Sequence, residues 1–96
     1  MDEGPILLSV VLPDGEELTV RCDSVRFTVP DSADGRIQGG SVGIRKGHAS
    51  ALMAVASGAV TAFSAGKQVF SRSMGGGLAT VEGDRVTILT FETETA

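Results

Sequence analysis

The sequence predicts an all-β fold, a β-sandwich of about eight to ten short strands. Two observations carry this expectation. Apolar and polar residues alternate with a period of two along much of the chain, the pattern of strands that bury one face. Turn signals such as Pro13-Asp14-Gly15, Ala65-Gly66 and Glu82-Gly83-Asp84 recur at about 8–12-residue spacing, as the connections of a sandwich or barrel do.

Taken in order, Leu8 and Val10 alternate with Ser9 and Val11 before the Pro13-Asp14-Gly15 turn. Leu18, Val20 and Cys22 then share a face opposite Thr19 and Arg21. After Asp23, the residues Val25, Phe27 and Val29 face one way while Arg26 and Thr28 face the other. Pro30 ends this strand, since proline has no N–H for a ladder. Asp31 to Ser41 is polar and glycine-rich and reads as a loop. Ala51 to Ala56 contains helix-forming residues, yet the run is short before Gly58, and strand is the better reading. As a strand it is apolar on both sides. Either both faces are buried within the domain, the preferred alternative, or a partner covers one. Ala59 to Phe63, Lys67 to Arg72, Leu78 to Val81 and Val86 to Leu89 complete the set.

The chain has 96 residues, enough for one small domain with a modest core. Apolar content of 42% with 21% charge is that of a globular protein rather than a disordered one. A net charge of −4 argues against a nucleic-acid partner, whose binders carry a basic footprint. One cysteine, Cys22, excludes an internal disulfide and any multi-cysteine zinc site. The acidic start lacks the basic and apolar regions of a secretion signal. No apolar stretch reaches the roughly 18 residues of a membrane-spanning helix.

Chemistry-bearing residues are sparse. His48 is the only histidine, and a lone histidine assembles no zinc site without further ligands. A nucleophile pair of Cys22 or Ser50 with His48 would make a small hydrolase. Cys22, however, shares the apolar face of Leu18 and Val20, where a buried, inert thiol is the plainer reading. Ser64 and Lys67 stand at Ser-x-x-Lys spacing, but the companion motifs of acylating enzymes are missing and Ala65-Gly66 reads as a hairpin turn. Gly75-Gly76-Gly77 lacks the Gly-Lys-Ser/Thr and helix start of a phosphate cradle. A strand bend or a tight backbone approach suits it better. Arg45, Lys46 and Arg36 form a small basic patch in loops, either solvated or guiding the docking of a partner.

Two ordered landmarks remain. One is Gly43-Ile44-Arg45-Lys46-Gly47-His48-Ala49, followed by the apolar runs on either side of Gly58. The other is Gly75-Gly76-Gly77-Leu78-Ala79-Thr80-Val81, then Glu82-Gly83-Asp84 and Arg85-Val86-Thr87-Ile88-Leu89. Together they resemble the epsilon subunit of F-type ATP synthases, called delta in mitochondria, over roughly Leu8 to Thr90. That family reads Gly-Ile/Val-x-x-Gly/Asn-His-Ala at the first site and a Ser-Gly-Gly run before Val-Thr-Val-Leu at the second. This chain departs from it in a longer loop between Thr28 and Gly43 and in Ala79-Thr80, where the family has a hydrophobic residue and glutamate.

The resemblance implies a single β-sandwich domain, residues 1–96, without the family's C-terminal helical hairpin. It implies a non-catalytic central-stalk subunit that couples the c-ring to the gamma subunit in proton-driven ATP synthesis. It brings no cofactor and no metal. Gamma-facing positions would be Ile44, His48, Leu52 and Met53, and ring-facing ones Asp34, Arg36, Gln38 and Gly40. His48→Ala with Met53→Asp is then expected to weaken gamma binding without unfolding. The implied location is peripheral, on the cytoplasmic face of a bacterial-type plasma membrane, with membrane contact only through the ring. Self-association of the isolated domain is a further expectation. The rival reading is a free-standing β-sandwich that binds a peptide or small ligand at a sheet edge or pocket.

Overall fold

Alternation in the sequence becomes nine strands among the residues that the structure, a computed structural model, describes: 5–31, 39–47 and 49–91. They are β1 (Ile6–Val11), β2 (Glu17–Cys22), β3 (Ser24–Val29), β4 (Gly40–Arg45), β5 (Ala51–Val55), β6 (Gly58–Ser64), β7 (Lys67–Met74), β8 (Gly77–Glu82) and β9 (Arg85–Thr90). Five form one sheet in the order β2-β1-β9-β8-β5, and four form the other in the order β4-β3-β6-β7. The pairings are antiparallel except β1 with β9, which run parallel.

Each strand sends alternate residues inward. Leu8, Val10, Cys22, Ala79, Val81, Val86 and Ile88 from the larger sheet meet Val25, Phe27, Ile44, Val60 and Ala62 from the smaller one, all buried. Full burial of one large aliphatic or aromatic side chain contributes about 1.5–3 kcal/mol, so these inner rows hold the sheets together. The all-β sandwich expected from the sequence is the fold observed.

The turns follow their residues. In the β1–β2 connection the Leu12 N–H donates to Glu16 O, and the Glu16 N–H donates to Asp14 Oδ1 at 2.9 Å. Between β6 and β7, Ala65 (φ 53°) and Gly66 (φ 79°) both take left-handed backbone, as a tight hairpin with the right-handed twist of its strands requires. Asp23 Oδ2 accepts from the Ala65 N–H at 2.9 Å and ties that hairpin to the start of β3.

Two elements differ from the sequence reading. β5 is not enclosed on both sides: it lies at an edge of the larger sheet, with Met53 and Val55 turned toward the core and Leu52 70% exposed. An apolar residue on both faces records the hydrophobicity of a strand but not its place in the sheet. The connection after β3 is also shorter than expected, because Gly40 and Ser41 already pair with Val29 and Thr28. Arg45 is therefore the last residue of a strand rather than part of a loop. The remainder of that connection is tied at its neck, where the Gly39 N–H donates to Asp31 Oδ1 at 2.6 Å.

Candidate functional site

The outward positions of the five-stranded sheet fall into three rows, fixed by the strand registers. Glu17, Val11, Leu89, Leu78 and Ala54 stand side by side on β2, β1, β9, β8 and β5. Behind them run Thr19, Ser9, Thr87, Thr80 and Leu52. The third row is Arg21, Leu7, Arg85 and Glu82. The first row is apolar except for Glu17 at its β2 end, the second mainly hydroxylic except for Leu52, and the third mainly charged except for Leu7.

Large apolar side chains collect in the first of these rows and at the β5 end of the second, where Leu52 stands. Leu52, Leu78, Leu89 and Phe91 are exposed, and Val69 on β7 is the other large apolar side chain exposed among the described residues. Phe91 follows Leu89 with strand spacing and is 61% exposed. Its N–H donates to Gly76 O at 2.9 Å, which fixes the backbone there. Single exposed leucines need no explanation, but a contiguous patch on one sheet face is the mark of a docking surface. In the second row Ser9 is buried and its hydroxyl has no hydrogen-bond partner among the described residues, an arrangement that costs about 1–3 kcal/mol.

The connections at one end of the sandwich converge near this patch. The Ala56 N–H donates to Thr28 O at 2.7 Å, and the Ser57 hydroxyl donates to Met74 O at 3.4 Å. The turns leaving β5 and β7 are thereby gathered where β3 hands over to the segment tied by Asp31 and Gly39.

Among the expected gamma-facing residues, Leu52 lies on this face. Ile44 does not: it is 1% exposed and belongs to the core between the sheets, so it is withdrawn as a contact residue. Its alternation partners Gly43 and Arg45 point outward instead. Met53 is half-buried and packs against the core, so Met53→Asp would perturb the fold itself and cannot serve as a clean docking variant. His48 lies outside the described residues, as do Asp34, Arg36 and Gln38 of the expected ring-facing set. Gly40 is described, exposed, and holds a φ of 146° at the start of β4.

The sequence reading missed Leu78, Leu89 and Phe91. A usable signal existed, because Leu78 and Leu89 occupy the outward positions of strands whose inward positions, Ala79, Val81, Val86 and Ile88, are already apolar.

Hydrolytic chemistry finds little footing. Cys22 is fully buried, and its thiol is held above the ordinary value of 9.0, first by burial and then by the charge of Asp23. Ser64 and Lys67 are paired across the β6–β7 hairpin, as that turn requires. Among the described residues no three His, Cys, Asp or Glu side chains stand close enough to hold a metal.

Comparison with known proteins gives two findings. Residues 6–96 match the family model for the β-sandwich domain of the ATP synthase delta/epsilon chain. Chains of the same fold occur in solved assemblies, among them two mitochondrial ones. One is the mitochondrial ATP synthase of Euglena gracilis (OSCP/F1/c-ring), with TM-score 0.67 and 22% identity over 98% of this chain. The other is the central stalk and c-ring of the Tetrahymena thermophila mitochondrial ATP synthase, with TM-score 0.62 and 12% identity over 96% of this chain. The present chain spans 55% of the Euglena chain and 67% of the Tetrahymena chain. No curated protein matches the sequence.

Proposed function

This chain belongs to the ATP synthase delta/epsilon β-sandwich family, and from that membership we propose that it is a central-stalk part of an F-type ATP synthase, turning with the rotor. Its task in this reading is mechanical. Torque from the ring reaches the catalytic head only if ring, stalk subunit and gamma rotate as one body. A sandwich with densely packed inner rows suits such a part, since protein interiors of that density are poorly compressible and transmit strain. It supplies rigidity and shape and no active site of its own.

The observation that carries the assignment of surfaces is the apolar patch of Leu52, Leu78, Leu89 and Phe91 on the outer face of the five-stranded sheet. We assign this face to gamma. The segment tied by Asp31 and Gly39, with Gly40 at its exit, is assigned to the c-ring, together with Asp34, Arg36 and Gln38. His48 stays assigned to the gamma side.

Association with an energy-coupling membrane would then be peripheral, through the assembled complex. The Euglena and Tetrahymena structures are mitochondrial and lend no support to the bacterial plasma-membrane face expected from the sequence.

The assignment is tested by co-purification with the gamma subunit of the same organism. Leu52→Asp and Leu89→Asp each place a charge in the patch while leaving the inner rows intact. Each is expected to weaken the complex by about tenfold or more, the loss typical of an interface anchor. Retention of both variants at wild-type level would remove gamma from this face.

A further inference from the structure

The two sheets differ in charge, and the difference bears on the second face of the sandwich. Strands of the five-stranded sheet carry Glu17 and Glu82 against Arg21 and Arg85, a balanced set. Strands of the four-stranded sheet carry Arg26, Arg45, Lys67 and Arg72 and no carboxylate. Arg72 turns to the rim, where it lines a shallow cleft with Asp14 and Glu16. Arg26 and Arg45 project from the outer face of β3 and β4, since Val25, Phe27 and Ile44 fill the inner one. Lys46 follows Arg45 directly, and Lys67 is exposed at the start of β7. Of the described carboxylates in the connections of this sheet, Asp23 accepts from the Ala65 N–H and Asp31 from the Gly39 N–H. A basic face therefore stands on a chain whose net charge is −4.

Gly43 is the second, independent observation. It lies inside β4 in unbroken register, directly opposite Arg26. Its φ lies outside the left-handed range, and a Cβ built on it meets nothing within 4 Å. Neither backbone conformation nor packing among the described residues calls for glycine there. A glycine inside a strand loses about 0.5–1 kcal/mol relative to alanine, and in unbroken register one use that remains is close approach by a ligand or another backbone. The neighbouring outward positions are small and hydroxylic: Thr28 and Ser41 pair across β3 and β4, and Thr61 stands beside Arg26 on β6. Along β3 and β4 the ground is polar and cationic.

We propose that the outer face of the four-stranded sheet, centred on Gly43, Arg26 and Arg45, is a docking surface for an acidic polypeptide segment of a partner protein. Guanidinium groups match carboxylates in bidentate geometry. Outward positions on β3 and β4 (Ser24, Arg26, Thr28, Ser41, Gly43, Arg45) are polar, charged or glycine; the large apolar side chains of this face, Phe63 and the exposed Val69, stand apart on β6 and β7, so the cationic half favours a polypeptide over a lipid surface. The inference does not depend on the assignment of the apolar patch to gamma, which concerns the other sheet.

The test uses the full chain at low ionic strength, titrated with a short polyglutamate peptide and followed by backbone amide NMR shifts. Binding is expected to shift amides of β3 and β4 and to fade with added salt. Arg26→Gln with Arg45→Gln should weaken it by about tenfold, while Arg21→Gln with Arg85→Gln on the opposite sheet should leave it unchanged. Gly43→Thr should keep or raise the melting temperature and weaken binding. The proposal is overturned by absence of shifts, by equal loss in both arginine pairs, or by unimpaired binding in Gly43→Thr. It is overturned equally if Gly43→Thr destabilises the fold, if phosphatidylserine vesicles bind where the peptide does not, or if the shifts arise from self-association.

Discussion

Gly77 carries a demand that most glycines of this chain do not. A Cβ at this position would collide with the Leu89 carbonyl oxygen on the adjoining strand, a backbone atom that cannot swing aside. Gly76 before it holds a φ of 114°, so the pair combines a bend with a close approach. Gly77→Ala is expected to cost about 1–3 kcal/mol or more, as overpacking does, read as a lower urea midpoint. A substitution at Gly15, where a Cβ meets nothing, would be limited by backbone strain alone. The run of glycines was legible in the sequence as a bend. Which member is sterically indispensable was not, because that depends on β9, with which Gly77 pairs only after folding. Cys22 is a second residue-scale case. Its thiol is raised above 9.0, so both chain states hold the proton below that pH. Its contribution to stability is fully present there and is lost as pH climbs toward the folded-state value, since the unfolded chain gives up its proton first. Iodoacetamide at neutral pH should leave the native thiol unmodified and label it completely in denaturant; rapid native labelling would contradict its burial.

At the scale of elements, the hairpins were the readable part. Alternation in β1, β2 and β3 and the Ala65-Gly66 turn carry their inward faces on their own residues. Sheet membership was hidden. β5 pairs with β8 rather than with its chain neighbour β6, and β1 lies parallel to β9 from the far end of the chain. Local patterning specifies which face is apolar, while such distant pairings are chosen only as two faces close on one core. The site inherited this blindness: Ile44 looked available in its motif, yet the strand phase turns it inward and leaves Gly43 and Arg45 outside. The neck of the β3–β4 connection gives an element-scale prediction. Asp31→Ala removes the acceptor of the Gly39 N–H and should lower stability by about 1 kcal/mol, the net worth of one such hydrogen bond. Faster hydrogen exchange should be confined to Gly39 and its neighbours on β4. Global acceleration would mean that the neck supports more than its own connection.

Across the whole molecule, the sandwich joins two unlike surfaces through one core. One sheet presents an apolar patch and the other a basic surface along β3 and β4, so two partners of different chemistry would be held at a fixed separation. That arrangement suits a part whose work is to make its neighbours move together, and family membership points to the same role. The most direct measurement is titration calorimetry of the purified chain with the gamma subunit of the same organism, followed by size-exclusion chromatography. The account predicts a stoichiometric complex that Leu52→Asp and Leu89→Asp weaken while both variants stay folded. No complex, with both proteins folded, would contradict the stalk assignment and leave a free-standing β-sandwich that binds some other ligand.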